Sequence, residues 1–286
     1  EQAVKDTTKQ YIITAVHFND LDVSFFKNFP NLSVSLNQLS IEAPQSFNGL
    51  KTVETNSIDL GIDVFSLLSD QIKFTKLYVN KGNFNIVTDS LGNFSFAIFK
   101  PSPEPSSDSS FSLALNKIHI KNSIILYKDD LSKIQIKTNN TNIVGNINVT
   151  DKYIDFDTKT NINSLFFELD NSVLVDNKPL KGAIKTKVNL EPVSVEFKEN
   201  NLLLANLPLN ILGKVAVLDQ GIDFNLEVKS KNASLENLFS LVPENYQQWY
   251  EGMTFKGNSD INLKLTGMMQ DSISNPDLNI KLKITN

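Results

Sequence analysis

The chain has no cysteine and no arginine, and only two histidines and one tryptophan in 286 residues. The missing cysteine removes disulfides, thiolate nucleophiles and thiolate-held metals together. All 27 basic side chains are lysines, so no bidentate guanidinium contact to phosphate or carboxylate can form. Against 32 acidic residues they leave a net charge of −5, which argues against nucleic acid as a partner. No stretch reaches the roughly 18–20 consecutive apolar residues of a bilayer-spanning helix. The chain opens at Glu1 without Met, as expected of a processed or truncated product, and any signal or anchor upstream is outside view.

What is present is alternation. Ile58, Leu60, Ile62 and Val64 are apolar, while Asp59, Gly61 and Asp63 between them are polar or minimal. That period of two marks a strand with one buried face. Leu32, Val34 and Leu36 repeat it after the Phe29-Pro30 break, and further strands are expected at Ile72–Val79 and Phe84–Thr88 with Gly82 as the turn between them. Phe65 to Ser69 suits a single helical turn. Asp89-Ser90-Leu91-Gly92-Asn93 suits a hairpin loop, with Phe94, Phe96 and Ile98 on the return strand. Val4, Tyr11, Ile12 and Ala15 fall near helical spacing and predict a short lead-in helix.

Residues 100–110 hold three prolines and five serines, which cannot build a ladder. They divide the chain into 1–99 and 111–286, and the return of the same alternation afterwards favours a loop within one continued architecture. Leu207 and Leu209 continue the pattern, as do Ile222, Phe224, Leu226 and Val228, and then Ile261, Leu263 and Leu265. With no helix between neighbouring strands, an antiparallel meander is expected. The exception is about 234–252, where Leu235, Leu238, Phe239 and Val242 stand at helical spacing. Ser234 can cap that helix, Pro243 can begin a second turn and Gly252 can end it. Trp249, with Tyr246 and Tyr250, is expected to pack the helix on the sheet. The last strand, Leu278–Ile284, leaves its pattern unfinished, as in a fragment of a longer chain.

The search for catalytic groups finds none to nominate. His119 stands between Ile118 and Ile120 on the polar side of its strand, and His17 lies in the lead-in, so both read as surface residues rather than ligands. Asp129 and Asp130 are adjacent and would point to opposite faces in a strand; a turn fits them better than a metal site. Phosphate-binding, dinucleotide-binding and nucleophile-elbow motifs are missing. No catalytic residue, metal or cofactor is therefore expected.

So much amphipathic strand admits two readings. A second sheet can cover the apolar face as a dry sandwich core. A single curved sheet instead leaves an apolar trough, whose natural occupants are acyl chains. Periodicity alone favours the sandwich.

Val23-Ser24-Phe25-Phe26-Lys27-Asn28-Phe29-Pro30-Asn31-Leu32-Ser33-Val34 resembles the N-terminal signature of the AsmA-like family of bacterial envelope proteins, in which an aromatic-Pro step leads into a strand. Leu60 to Leu68 resembles the next element of that family, an alternating strand closing on a Leu-Leu elbow. Ile72 to Val87 and Gly92-Asn93-Phe94 resemble the strand pair and turn that follow, with Phe94 where the family usually has Trp or Tyr. Ser234 to Pro243 and Gly257 to Gly267 resemble a later helix-and-strand segment. The resemblance implies a mostly β fold: a long, curved antiparallel groove or half-open barrel with short helices at its ends. It also implies a periplasmic body held by an inner-membrane anchor, related to TamB-type and chorein-like bridge proteins. Under it Ile58, Leu60, Ile62, Leu207, Leu209, Ile222, Phe224, Leu226, Val228, Ile261, Leu263 and Leu265 line the groove, and Leu67 and Leu68 plug its end. The expected partners are phospholipid or another acyl-chain lipid, the inner membrane and other envelope proteins. The expected function is phospholipid transport or outer-membrane assembly without catalysis; the alternative is a structural or adhesive β-domain with a self-covered core.

Overall fold

Alternating apolar residues become strands throughout the computed structural model, which describes residues 12–28, 31–68, 73–100, 112–242, 248–270 and 274–285. The protein is mostly β, 74% strand and 5% helix, and falls into two units, Glu1–Thr150 and Asp151–Asn286. Among the described residues no helix is long and apolar enough to cross a membrane.

The first unit holds β1 (Val16–His17), β2 (Asp20–Asn28), β3 (Asn31–Asn37), β4 (Ser40–Glu42), β5 (Lys51–Asp63), β6 (Phe74–Thr88), β7 (Ser112–Asp129) and β8 (Ile134–Thr150). Its strands lie in the order β1-β4-β5-β6-β7-β8, and β2 adds to β3, which also pairs with β5. Two 3₁₀ turns, Gln45–Phe47 and Val64–Leu68, reverse the chain beside β5; the second is the expected single turn. Of the lead-in helix, residues 1–11 lie outside the described residues; Ile12 bridges Phe99, and Val16–His17 is already strand.

Three expectations are corrected in this unit. β6 and β7 run parallel, with Leu77 beside Ile118 and Val79 beside Ile120, so the antiparallel succession is broken there. Residues 89–111 are long enough for the crossover that parallel neighbours require. The strands expected on either side of Gly82 are one strand, β6, whose irregularity is Lys81 at φ 51°. Gly82 serves close packing rather than reversal: its N–H donates to Ser123 Oγ at 2.9 Å, and a Cβ there would stand 2.5 Å from the Phe84 ring. Phe94, Phe96 and Ile98 form no return strand. After a single bridge from Thr88 to Phe94, the Ser95 N–H donates to Val87 O at 2.8 Å and the Ser95 hydroxyl to Asn85 O at 2.8 Å. The segment thus satisfies the edge of β6 beyond the reach of β5, without alternation of its own.

The second unit is the expected meander: β9 (Tyr153–Leu169), β10 (Ser172–Leu190), β11 (Val193–Leu204), β12 (Leu207–Leu218), β13 (Gly221–Ser234), β14 (Asn258–Met269) and β15 (Asp277–Thr285), each antiparallel to the next. Two-residue turns join several of them. Asp170-Asn171 and Ala205-Asn206 have φ values of 47°, 59°, 46° and 68°, the left-handed pair that matches the twist of a hairpin.

Of the helix expected over 234–252, the described residues form α1 (Leu235–Phe239) and turns on either side of residues 243–247. Ser234 does cap it, its Oγ accepting the Asn237 N–H at 3.0 Å. Pro243 and Tyr246 lie outside the described residues. The end of α1 is packed by aromatic contacts: Phe239 stacks on Phe255 at 3.6 Å, and the Tyr250 hydroxyl donates to Phe239 O at 3.1 Å. Trp249 does not pack the helix on the sheet; it is 71% exposed.

Candidate functional site

Strand pairing decides which side chains share a face, because directly opposed residues point the same way. In the first unit Leu36, Ile58, Val79, Ile120 and Ile143 fall in one row across β3, β5, β6, β7 and β8. Val34, Leu60, Leu77, Ile118 and Gly145 form the next row, and Leu32, Ile62 and Phe74 a third. The three expected residues of β5 therefore do meet neighbours of their own kind. Opposite them Asp59 stands between Ser35 and Tyr78, and accepts a hydrogen bond from Ser35 Oγ. The backbone of Leu67 and Leu68 is in the Val64–Leu68 turn, but the side chains that would form the plug lie outside the described residues.

The second unit carries the larger apolar face. Val188, Val195, Val215, Phe224, and Gly267 follow one another across β10 to β14, with Ile154 on β9. The next row on the same face runs through Gly213, Leu226, Leu265 and Leu278, and the one after through Ile211, Val228, Leu263 and Ile280. Leu207 and Leu209 join them, paired with Leu204 and Leu202, and Ile261 sits opposite Leu282. All nine expected residues of this unit thus lie on one face. Ile222, Phe224 and Leu207 are buried, and Leu226, Val228, Leu263 and Leu265 are half-buried.

Further members of that face, not among the expected groove residues, are Val195, Phe197, Leu202 and Leu204 on β11, and Leu278, Ile280, Leu282 and Ile284 on β15. Those of β15 carry the plain alternation that marks the others. Those of β11 were hidden by a phase change: the register shifts between Phe197 and Leu202, so the apolar face passes from odd to even positions.

The charges of the second unit gather on the opposite face. Lys229 Nζ lies 2.7 Å and Lys264 Nζ 3.8 Å from the Glu227 carboxylate, and Asn262 Nδ2 donates to it at 3.0 Å. The Lys229 hydrogen bond, first, and that of Asn262, second, hold the Glu227 carboxyl below the usual range. Lys185 and Glu199 pair at 2.9 Å, and Lys198 and Asp155 at 3.5 Å. Such exposed pairs add little stability. They show instead where charge is kept.

The polar residues weighed for chemistry are occupied in turns. Asp89 accepts from the N–H groups of Leu91 and Asn93 and from Asn93 Nδ2, and the last of these leads in holding its carboxyl below the usual range. Asp129 accepts from the Leu131 N–H and from Ser132 Oγ, the expected turn. His119 is half-buried, edge-on to Tyr78 at 5.9 Å. Tyr127 has its hydroxyl pKa raised by burial first and by the charge of Asp129 second.

A search of the curated proteins gave no match to the chain. The sequence profile of the AsmA family matches residues 9–153, just over half of its length, and so spans the first three quoted resemblances, while Ser234–Gly267 lies beyond it. The chain belongs to the AsmA family, a family of bacterial envelope proteins.

Proposed function

We propose that this is a non-enzymatic lipid-groove protein of the periplasm, anchored at the inner membrane, that supports phospholipid transport between membranes or outer-membrane assembly. One observation carries the reading. Among the described residues of the second unit, seven strands present an apolar face through the rows given above, no Asp, Glu or Lys stands in those rows, and all the strands belong to one sheet. A face of that kind with no second sheet over it needs an apolar cover. An acyl chain supplies one and asks for no polar partner, each buried methylene contributing about 0.8 kcal/mol before the costs of ordering.

Binding needs no reaction, and the residues proposed to bind are the hydrocarbon side chains of β12, β13 and β14 with Ile58, Leu60 and Ile62 of β5. Organic extraction of the purified protein followed by mass spectrometry is the direct test. Phospholipid is expected to co-purify, and the double variant Leu226→Asp/Leu265→Asp is expected to lose it while keeping its circular dichroism spectrum. A wild-type protein that carries no lipid and takes up no fluorescent acyl probe would overturn the proposal in favour of a self-covered structural domain.

A further inference from the structure

The apolar face of the second unit is not wholly hydrocarbon. On β9 and β10 its rows run Phe156–Thr186, Thr158–Ile184 and Thr160–Gly182, continued on β11 by Phe197, Asn200 and Leu202. Thr158 therefore stands diagonal to Thr186 and two residues from Thr160, about 7 Å from each. The three are only 7–8% exposed, whereas Asp157, Lys159 and Lys185 at the alternate positions are exposed on the opposite face.

A buried hydroxyl or amide costs stability unless it is hydrogen-bonded. Asn200, on the same face, meets that requirement: it accepts the Ile211 N–H at 2.7 Å and donates to Ile211 O, so it serves the ladder between β11 and β12. Thr160 and Thr186 do not. Among the described residues of the second unit, the buried side-chain oxygens without a partner are Thr160 Oγ1, Thr186 Oγ1, Ser230 Oγ and Asn262 Oδ1. The first three belong to the apolar face, and two of them stand in this patch. Valine has the same shape without that cost, and the face uses it nearby at Val188 and Val195. No Lys, Asp or Glu shares the patch, so it offers no charge to a phosphate. What it suits is a neutral group that accepts a hydrogen bond. One rotation about χ1 exchanges each hydroxyl with its own methyl, which lets it donate to a group arriving on the face.

We infer that Thr160 and Thr186, with Thr158 between them, seat the ester carbonyls of an acyl lipid on the apolar face, while the charged headgroup stays off it. Leu180 with Ile162 and Leu204 on one side, and Val188 with Ile154 and Val195 on the other, take the hydrocarbon chains. The inference rests on the lipid reading above and adds to it a substrate class: ester-linked lipids, bound in preference to ether-linked ones of the same shape.

The test is a competition. Delipidated protein is offered equal amounts of a diacyl phosphatidylglycerol and its dialkyl ether counterpart, which has the same chains and headgroup but no carbonyls, and the bound lipid is extracted and measured by mass spectrometry. The unaltered chain is expected to retain the diester about fivefold over the diether, the worth of one hydrogen bond. The double variant Thr160→Val/Thr186→Val is expected to take up as much lipid in total and to hold the two forms equally. Its thermal midpoint without lipid should be no lower than that of the unaltered chain, because the hydroxyls removed have no partner in the fold. Equal retention of diester and diether by the unaltered chain overturns the ester site and leaves the lipid groove standing. Retention of neither overturns both. A double variant that keeps the fivefold preference, or that melts lower, shows that these hydroxyls serve something else and overturns the assignment.

Discussion

The two units build the same kind of apolar row and finish it differently. In the first, Val79 and Ile118 are 3% and 1% exposed, dry at the centre of a sheet where β6 and β7 each have a strand on either side. In the second, the rows run outward through Leu226 and Leu265 to β15, whose apolar side chains are at least half exposed. The contrast comes from connection rather than composition. A parallel crossover brings a distant strand alongside β6, whereas a meander adds each strand beside the last. Equal alternation therefore does not mean equal burial: the first unit spends its central rows on folding, and the second leaves part of its rows for something else to cover.

The largest effect that would break this contrast is a charge placed in each row. Ile118→Asp puts a carboxylate where no water reaches, and about 4 kcal/mol or more of stability should be lost. Ile284→Asp on β15 should change the stability of the single chain by no more than about 0.5 kcal/mol. Urea midpoints of the two variants decide it. Similar losses at both would mean that β15 is as well covered as β7, and the comparison would fail.

Glycines give the next largest test. Gly213 and Gly182, on the apolar face of the second unit, have φ of +116° and +144°, and an added Cβ would lie 2.0 Å from Asn225 O and Asn201 O respectively. Neither backbone oxygen can move without opening the ladder. Alanine at either position should cost about 3 kcal/mol from backbone strain and overlap together. Gly92, in the Asp89 turn of the first unit, has φ +81° but nothing nearer than Leu131 Cδ1 at 3.8 Å, so Gly92→Ala should cost only about 1 kcal/mol of strain. Thermal unfolding of the three variants separates steric from conformational cost.

How much of this could be read beforehand follows from the same contrast. The second unit was legible because its information is local: Ile222 to Val228 and Ile261 to Leu265 alternate without a break, and two-residue turns join the strands from β9 to β13. The site residues of β12, β13 and β14 came with it. The first unit was less so. Nothing in the alternation of Phe74–Thr88 distinguishes a parallel neighbour from an antiparallel one, because each side chain only records which face is apolar. The strand also continues through Lys81 and Gly82, where a glycine chosen for packing against Phe84 looks the same in sequence as one chosen for a turn. β11 was missed because its bulge moves the apolar face from odd to even positions, and a search for a fixed period then sees only Leu202-Leu203-Leu204. The helix after Ser234 was overextended because Leu238 and Phe239 stand at helical spacing whether the chain continues as helix or turns at 240–242, and the Phe255 ring that Phe239 stacks on lies sixteen residues further along the chain.

A smaller effect is expected at that helix. Ser234 Oγ accepts the Asn237 N–H of a helix only five residues long, which cannot hold itself by propensity alone. Ser234→Ala should lower stability by about 1 kcal/mol. If the elbow opens independently, hydrogen exchange should accelerate at Asn237 before it changes in β13. Uniform acceleration across the unit would mean instead that cap and sheet unfold as one.

The smallest effects concern two carboxyls held below their usual range by different means. Asp89 in the first unit is held chiefly by the side chain of Asn93 and then by backbone N–H groups of its own turn; Glu227 in the second is held by Lys229 first, then Asn262 across the strands. A carboxyl with a lowered folded pKa contributes stability that is fully present above its unfolded value. The contribution is lost as pH falls through the folded one. Both contributions should therefore be intact at neutral pH and disappear in the acid range below about pH 4, the ordinary carboxylate region. Salt should tell them apart. Added sodium chloride screens an exposed ion pair but leaves a hydrogen bond within one turn largely untouched. Carboxyl carbon chemical shifts followed by pH at low and at molar salt should show the Glu227 midpoint rising with salt and the Asp89 midpoint holding still. Equal movement would mean that Asp89 owes its shift to long-range charge, and that the Asn93 turn does not anchor the crossover of the first unit as its hydrogen bonds indicate.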